Sequence, residues 1–181
     1  MVFYINNVKE VIMADRNQVV REGSRIVKTF GSHLDYVKEQ SIYKKLKGTG
    51  LAPKLFESMG DCIEHEFIDG ISLYDAIKQN NDNIEKLEGL FEIFTVWYAS
   101  YRQSVNLSLG KADFNKFILA EDKLVCIDFE HCKPGYPEED IAALITQISD
   151  FSIETAALFS KVCTEKLSLD PEIIDRLDKV K

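Results

Sequence analysis

Leu124-Val125-Cys126-Ile127-Asp128-Phe129-Glu130 is an apolar run that passes directly into an acidic tripeptide. Its apolar part reads as a buried strand, so the Asp128 carboxylate is fixed at the strand's end. A carboxylate held there suits Mg²⁺, a hard cation that takes rigidly placed oxygen ligands beside the phosphates it bridges. Just upstream, Gly110-Lys111-Ala112-Asp113-Phe114-Asn115-Lys116-Phe117-Ile118-Leu119 reads as a polar loop entering a second apolar strand, which makes a hairpin with the first.

Further toward the N-terminus, Arg25-Ile26-Val27-Lys28-Thr29-Phe30 reads as a strand that sets Lys28 among apolar and β-branched neighbours. Tyr36 to Leu46 has apolar residues at helical spacing and carries Glu39. The longest helix is expected over Ile84 to Ser104, with Leu87, Leu90, Phe91, Phe94, Trp97, Tyr98 and Tyr101 on its apolar side. The polar stretch Gln79 to Asn83 ends one helix and offers Asn or Asp as N-cap to the next. Two more helical patterns lie around Glu138 to Ile148 and Ile153 to Lys166, and a last one follows Asp170-Pro171, a cap residue before a first-turn proline.

Taken in order, these stretches resemble the protein kinase-like superfamily, above all its small atypical branch: aminoglycoside and choline phosphotransferases, RIO-type kinases and lipopolysaccharide-core kinases. Asp128-Phe129-Glu130 stands where those proteins carry D-F-G or D-F-E. Gly50-Leu51-Ala52-Pro53-Lys54-Leu55 resembles their turn into the fourth strand, and Cys62 to Leu73 their fifth strand and hinge. The resemblance covers most of the chain. It implies an α+β, bilobal kinase-like domain, with a small antiparallel-sheet N-lobe carrying one helix over residues 1–66 and a mainly helical C-lobe over 67–181. It further implies an ATP- and Mg²⁺-dependent phosphotransferase acting on a hydroxyl group. Lys28 would bind the α and β phosphates, Glu39 would hold Lys28, and Asp128 would bind the metal. The Glu66 carbonyl and Ile68 amide would meet adenine, and Asp140 would brace the catalytic loop.

Two departures qualify that pattern. Val11 to Val20, where the family places a glycine-rich phosphate loop, contains no glycine and reads as a short polar turn with Arg16 exposed. The catalytic loop, H-x-D-x-x-x-x-N in the family, can be aligned in two ways. Without gaps, Lys111 replaces the Asp and Lys116 the Asn, which implies a pseudokinase serving as a binding or scaffolding module. With a shortened loop, Asp113 becomes the acid that accepts the substrate hydroxyl's proton, and Asn115 becomes the second metal ligand. A lysine cannot take the aspartate's role near neutral pH.

Composition agrees with a folded domain: 181 residues, 45% of them hydrophobic, can bury one substantial core or two small lobes. No apolar run reaches the roughly 20 residues of a membrane span, and Met1 to Glu10 lacks the features of a secretory signal, so a cytoplasmic protein is expected. A formal net charge of −8 disfavours nucleic acid as a partner. Lys44, Lys45 and Lys47 instead suit a helix C-terminus. Four widely spaced cysteines without C-x-x-C read as reduced thiols, and the adjacent His131 and Cys132 suit no zinc site. The family's small-molecule kinases build their acceptor pocket from a long helical extension, for which little chain follows Glu130. A protein, saccharide or small-molecule acceptor is therefore expected alike.

Overall fold

Residues 9–13, 16–121 and 123–178 are described by the computed structural model of the chain. Met1 to Val8 lie outside these residues, as do Ala14 and Asp15 of the stretch expected to replace a glycine-rich loop. One sheet is built from β1 (Lys9–Met13), β2 (Asn17–Glu22), β3 (Arg25–Phe30), β4 (Leu55–Met59) and β5 (Cys62–Glu66). Its ladders are antiparallel, in the order β1-β2-β3-β5-β4. The β2–β3 connection is a two-residue turn, because Glu22 pairs with Arg25 and Gly23 supplies the positive φ such turns require.

Along β3, Ile26, Lys28 and Phe30 are buried. Strand periodicity therefore puts a lysine on the apolar face. α1 (His33–Lys45) covers that sheet; it starts at Ser32, whose hydroxyl accepts a hydrogen bond from the Asp35 amide at 3.4 Å, and ends with Lys44 and Lys45 in its last turn. Its buried residues are Tyr36, Glu39, Ile42 and Tyr43, a helical stripe in which one carboxylate interrupts apolar side chains.

The rest of the described chain is mainly helical: α2 (Leu73–Gln79), α3 (Ile84–Val105), α4 (Pro137–Ser149), α5 (Ile153–Leu167) and α6 (Pro171–Asp178). α3 is the long helix read from the sequence, capped by Asn83. Leu87, Phe91, Phe94, Trp97, Tyr98 and Tyr101 are buried on it, and Leu90 half-buried. Phe94 meets Phe114 and Phe117 edge-on at 5.5 and 5.4 Å, which seats the following hairpin on α3. Asp170 caps α6 as its position suggests, accepting from the Glu172 amide at 2.9 Å.

A three-stranded sheet, β6 (Ile71–Ser72), β7 (Phe117–Ala120) and β8 (Lys123–Cys126), joins the two parts. β6 has no signal in the sequence, since two residues carry no periodicity. It forms because Gly70 lets the backbones meet: a Cβ there would lie 2.4 Å from the Leu119 carbonyl oxygen. The result is the expected α+β architecture of two lobes, a small antiparallel sheet with one helix beside a mainly helical body. No helix among the described residues is long and apolar enough to cross a membrane.

Candidate functional site

A cavity of about 410 Å³ lies between the five-stranded sheet and the β7–β8 hairpin. Val19 and Ile26 line it from the sheet, and Ile118 and Ile127 from the hairpin. Its polar end carries Lys28, Lys116, Asp128 and Glu130, and its other border carries His65, Glu66 and Ile68.

Backbone register assembles the polar end. Phe117 pairs with Cys126, and the ladder continues through a bond from the Ile127 amide to the Lys116 carbonyl at 2.9 Å. Lys116 and Asp128 therefore leave the strand ends side by side, and Lys116 Nζ lies 2.7 Å from Asp128 Oδ2. From β3, Lys28 Nζ reaches Asp128 Oδ1 and Glu39 Oε2, both at 2.8 Å, and Glu130 Oε2 at 3.1 Å. Glu39 Oε2 also accepts from the Phe129 amide at 3.4 Å. The sequence-selected Lys28, Glu39 and Asp128 thus meet in one cluster.

Phe129 anchors that cluster. Its ring is buried, edge-on to Tyr43 of α1 at 5.6 Å and stacked on Tyr101 of α3 at 6.2 Å. Asn17, at the start of β2, donates to Glu130 Oε2 at 2.5 Å and accepts from the Gly31 amide at 3.3 Å. The sheet's first hairpin is thereby tied to the acidic tripeptide.

Lys28 and Asp128 hold each other ionised, whereas Glu39 is shifted toward its neutral form. Burial would raise the Asp128 carboxyl, but Lys28 and Lys116 outweigh it and hold Asp128 well below the usual carboxylate range. Burial would lower the Lys28 ammonium, but Glu39 and Asp128 keep it above its ordinary range. Glu39 is pushed up, by burial first and against the attraction of Lys28. The His65 ring is held toward its neutral form by burial. Its Nδ1 lies 2.8 Å from the Glu66 carbonyl oxygen, so in the neutral ring Nδ1 carries the proton and donates it.

Asp113 and Asn115 occupy a different place. Asp113 caps a 3₁₀ turn over Phe114–Lys116, and its Oδ1 accepts from the Asn115 amide (2.9 Å), Asn115 Nδ2 (2.9 Å) and Gln147 Nε2 (2.7 Å). Gln147 also accepts from the Phe114 amide at 2.9 Å, so α4 clamps the turn. Neither Asp113 nor Asn115 lines the cavity, whereas Lys116 does. Asp140 lies beneath the loop: its carboxylate accepts from Tyr98 Oη and Ser108 Oγ at 2.7 Å, the Leu109 amide at 2.8 Å and the Gly110 amide at 3.2 Å.

Glu39, Asp128 and Glu130 each offer an oxygen within 4.8 Å of the others, spacing that suits a metal ion. The Lys28 ammonium, however, already bonds to all three residues. Both Asp128 oxygens face an ammonium group, and Asn115 spends its amide on Asp113. In this arrangement the residues do not fit Mg²⁺. Sequence reading passed over Glu130, visible in the acidic tripeptide itself, His65, whose ring meets the neighbouring Glu66 carbonyl, and Asn17 and Gln147, whose partners depend on the tertiary fold.

No protein-family model matches the sequence, and no curated protein matches it. Solved structures do match in fold. A choline/ethanolamine kinase family protein from Mesorhizobium loti superimposes with a TM-score of 0.62 at 11% identity, over 89% of this chain and 71% of that one. An amicoumacin kinase, solved with AMP-PNP and Ca²⁺, gives 0.59 at 12% identity, over 90% and 73%. An ethanolamine kinase from Plasmodium vivax gives 0.58 at 15% identity, over 93% and 70%. By these superpositions and by its own strand order, the chain shares the bilobal fold of these kinases.

Proposed function

We propose that this chain is a nucleotide-binding phosphotransferase of the small-kinase type, taking ATP in the cleft and a hydroxyl group of a protein, a saccharide or a small molecule as acceptor. The observation that carries the reading is the Lys28, Glu39 and Asp128 cluster at the charged end of an otherwise apolar cavity. The adenine ring is assigned to the apolar end lined by Val19, Ile26, Ile118 and Ile127, with the phosphates toward the two lysines. The Glu66 carbonyl, which already accepts from His65 Nδ1, and the Ile68 amide are assigned to adenine. The division at 66/67 is assigned as the boundary between the two lobes, with the cleft between their described residues.

In the transfer step the acceptor oxygen bonds to the terminal phosphorus, the bond to the ADP oxygen breaks, and the hydroxyl proton goes to a base. Asp113 is assigned that proton; it lies outside the cavity here, and the role requires it to give up Asn115 and Gln147. No step is assigned to Mg²⁺.

The Lys116–Asp128 ion pair favours a second reading, in which the cleft holds nucleotide without transferring phosphate and the chain acts as a binding or scaffolding module. Incubation with γ-labelled ATP, followed for label on water, on the chain and on an acceptor panel, separates the two. Turnover lost in both Asp113→Asn and Lys28→Met, each shown by thermal melts to be folded at the assay temperature, supports transfer. Turnover intact in Asp113→Asn removes that residue from the role. Nucleotide binding with no turnover in any arm supports the second reading.

A further inference from the structure

We infer that Lys116 is the phosphate-binding cation of this cleft, and that it lets nucleotide bind without a divalent metal; the inference rests on the nucleotide reading above. Lys28, buried in β3, has three N–H groups and three carboxylate partners, Glu39, Asp128 and Glu130. Two of those N–H groups are hydrogen-bonded to Glu39 and Asp128, and with Glu130 also paired to it the Lys28 charge is already met within the protein. Lys116 also lines the cavity, and among the described residues its ammonium meets only Asp128. Two of its three N–H groups remain for a ligand.

The position of Lys116 is fixed from both sides. Its carbonyl accepts the Ile127 amide at 2.9 Å, and its own amide donates to the Asp113 carbonyl at 3.0 Å. The side chain is 19% exposed, so much of it is already withdrawn from water before a ligand arrives, and a charge-assisted bond to phosphate gains from the lower local dielectric. A dication entering beside Asp128 would instead meet two ammonium groups within hydrogen-bond distance of its ligand oxygens. The arrangement therefore favours anionic oxygens on Lys116 over a metal on Asp128.

The test is calorimetric titration of adenosine, of ATP with EDTA, and of ATP with Mg²⁺ into the wild type, Lys116→Gln and Lys116→Arg, with thermal melts to verify folding. In the wild type, ATP with EDTA should bind about tenfold or more tighter than adenosine, the scale of a bond to a charged group. Mg²⁺ should change that affinity by less than about threefold, less than the loss of one such bond. Lys116→Gln should reduce ATP with EDTA to the level of adenosine while leaving adenosine unchanged, and Lys116→Arg should retain most of the difference. Wild-type ATP binding that requires Mg²⁺, or ATP no tighter than adenosine in EDTA, overturns the inference and leaves the nucleotide reading standing. Binding of neither ligand in any arm overturns both.

Discussion

The Lys28 ammonium of β3 lies 2.8 Å from the Glu39 carboxylate of α1, and both side chains are almost completely buried. The pair brings together an alternating strand and a helical stripe at the one place where each carries a charge on its apolar side. Its two members are not equivalent. Without Glu39, Lys28 keeps Asp128 and Glu130; without Lys28, three carboxylates face one another.

Lys28→Met should therefore destabilise more than Glu39→Gln. Removing one member of a buried ion pair costs on the order of 3 to 5 kcal/mol, and Lys28→Met belongs at that end. Urea unfolding of both variants gives the order, and a larger loss for Glu39→Gln would contradict the three-carboxylate account of Lys28.

Acid should weaken the Asp128 contribution. The native state holds this carboxyl below its ordinary value of 3.8, so its stabilisation is present above that value and is lost as the pH falls through it toward the lower native pKa. Because the raised Glu39 carboxyl has the opposite dependence, the quantity to follow is the stability difference between wild type and Asp128→Asn. A difference on the order of 2 kcal/mol near neutrality should shrink progressively below pH 3.8. A difference that stays flat with pH would mean that Lys28 and Lys116 do not hold the charge.

Asp140 should be structurally indispensable, because its carboxylate collects donors from α3 and from the loop at 108–110. Asp140→Asn turns an amide NH₂ toward those donors and leaves some of them buried without an acceptor. The expected cost is about 2 to 4 kcal/mol, read from chemical denaturation. Near-wild-type stability would show that the loop finds other acceptors.

Thiol chemistry should single out Cys62. It is the half-buried cysteine, while Cys126, Cys132 and Cys163 are buried, and burial raises each of those thiols, Cys132 to about 12. Timed labelling of the native protein should modify Cys62 first, with the other three reacting only on unfolding. Early labelling of Cys126 would show that the hairpin beside Asp128 opens.

Much of this architecture was legible because it depends on short-range pattern. Lys28 stood out among alternating β-branched residues, Glu39 fell on a helical repeat, and α3 declared its aromatic side at spacings of three and four. The catalytic-loop region was harder to read, since two alignments used the same residues. Only the strand register, with Ile127 bonded to Lys116, shows that Lys116 rather than Asn115 stands beside Asp128. Asn17 and Glu130 are separated by 113 residues, and no local signal joins them. β6 exists through its pairing with β7 alone.

The central claim, that the cleft takes a nucleotide, is tested most directly by calorimetric titration of ATP into the wild type and into Val19→Trp, which places an indole in the apolar end of the cavity. Saturable binding to the wild type, lost in a Val19→Trp protein that melts normally, is the expected result. A folded wild type that takes up no ATP, or a Val19→Trp variant that binds it equally well, would contradict the assignment of this cleft.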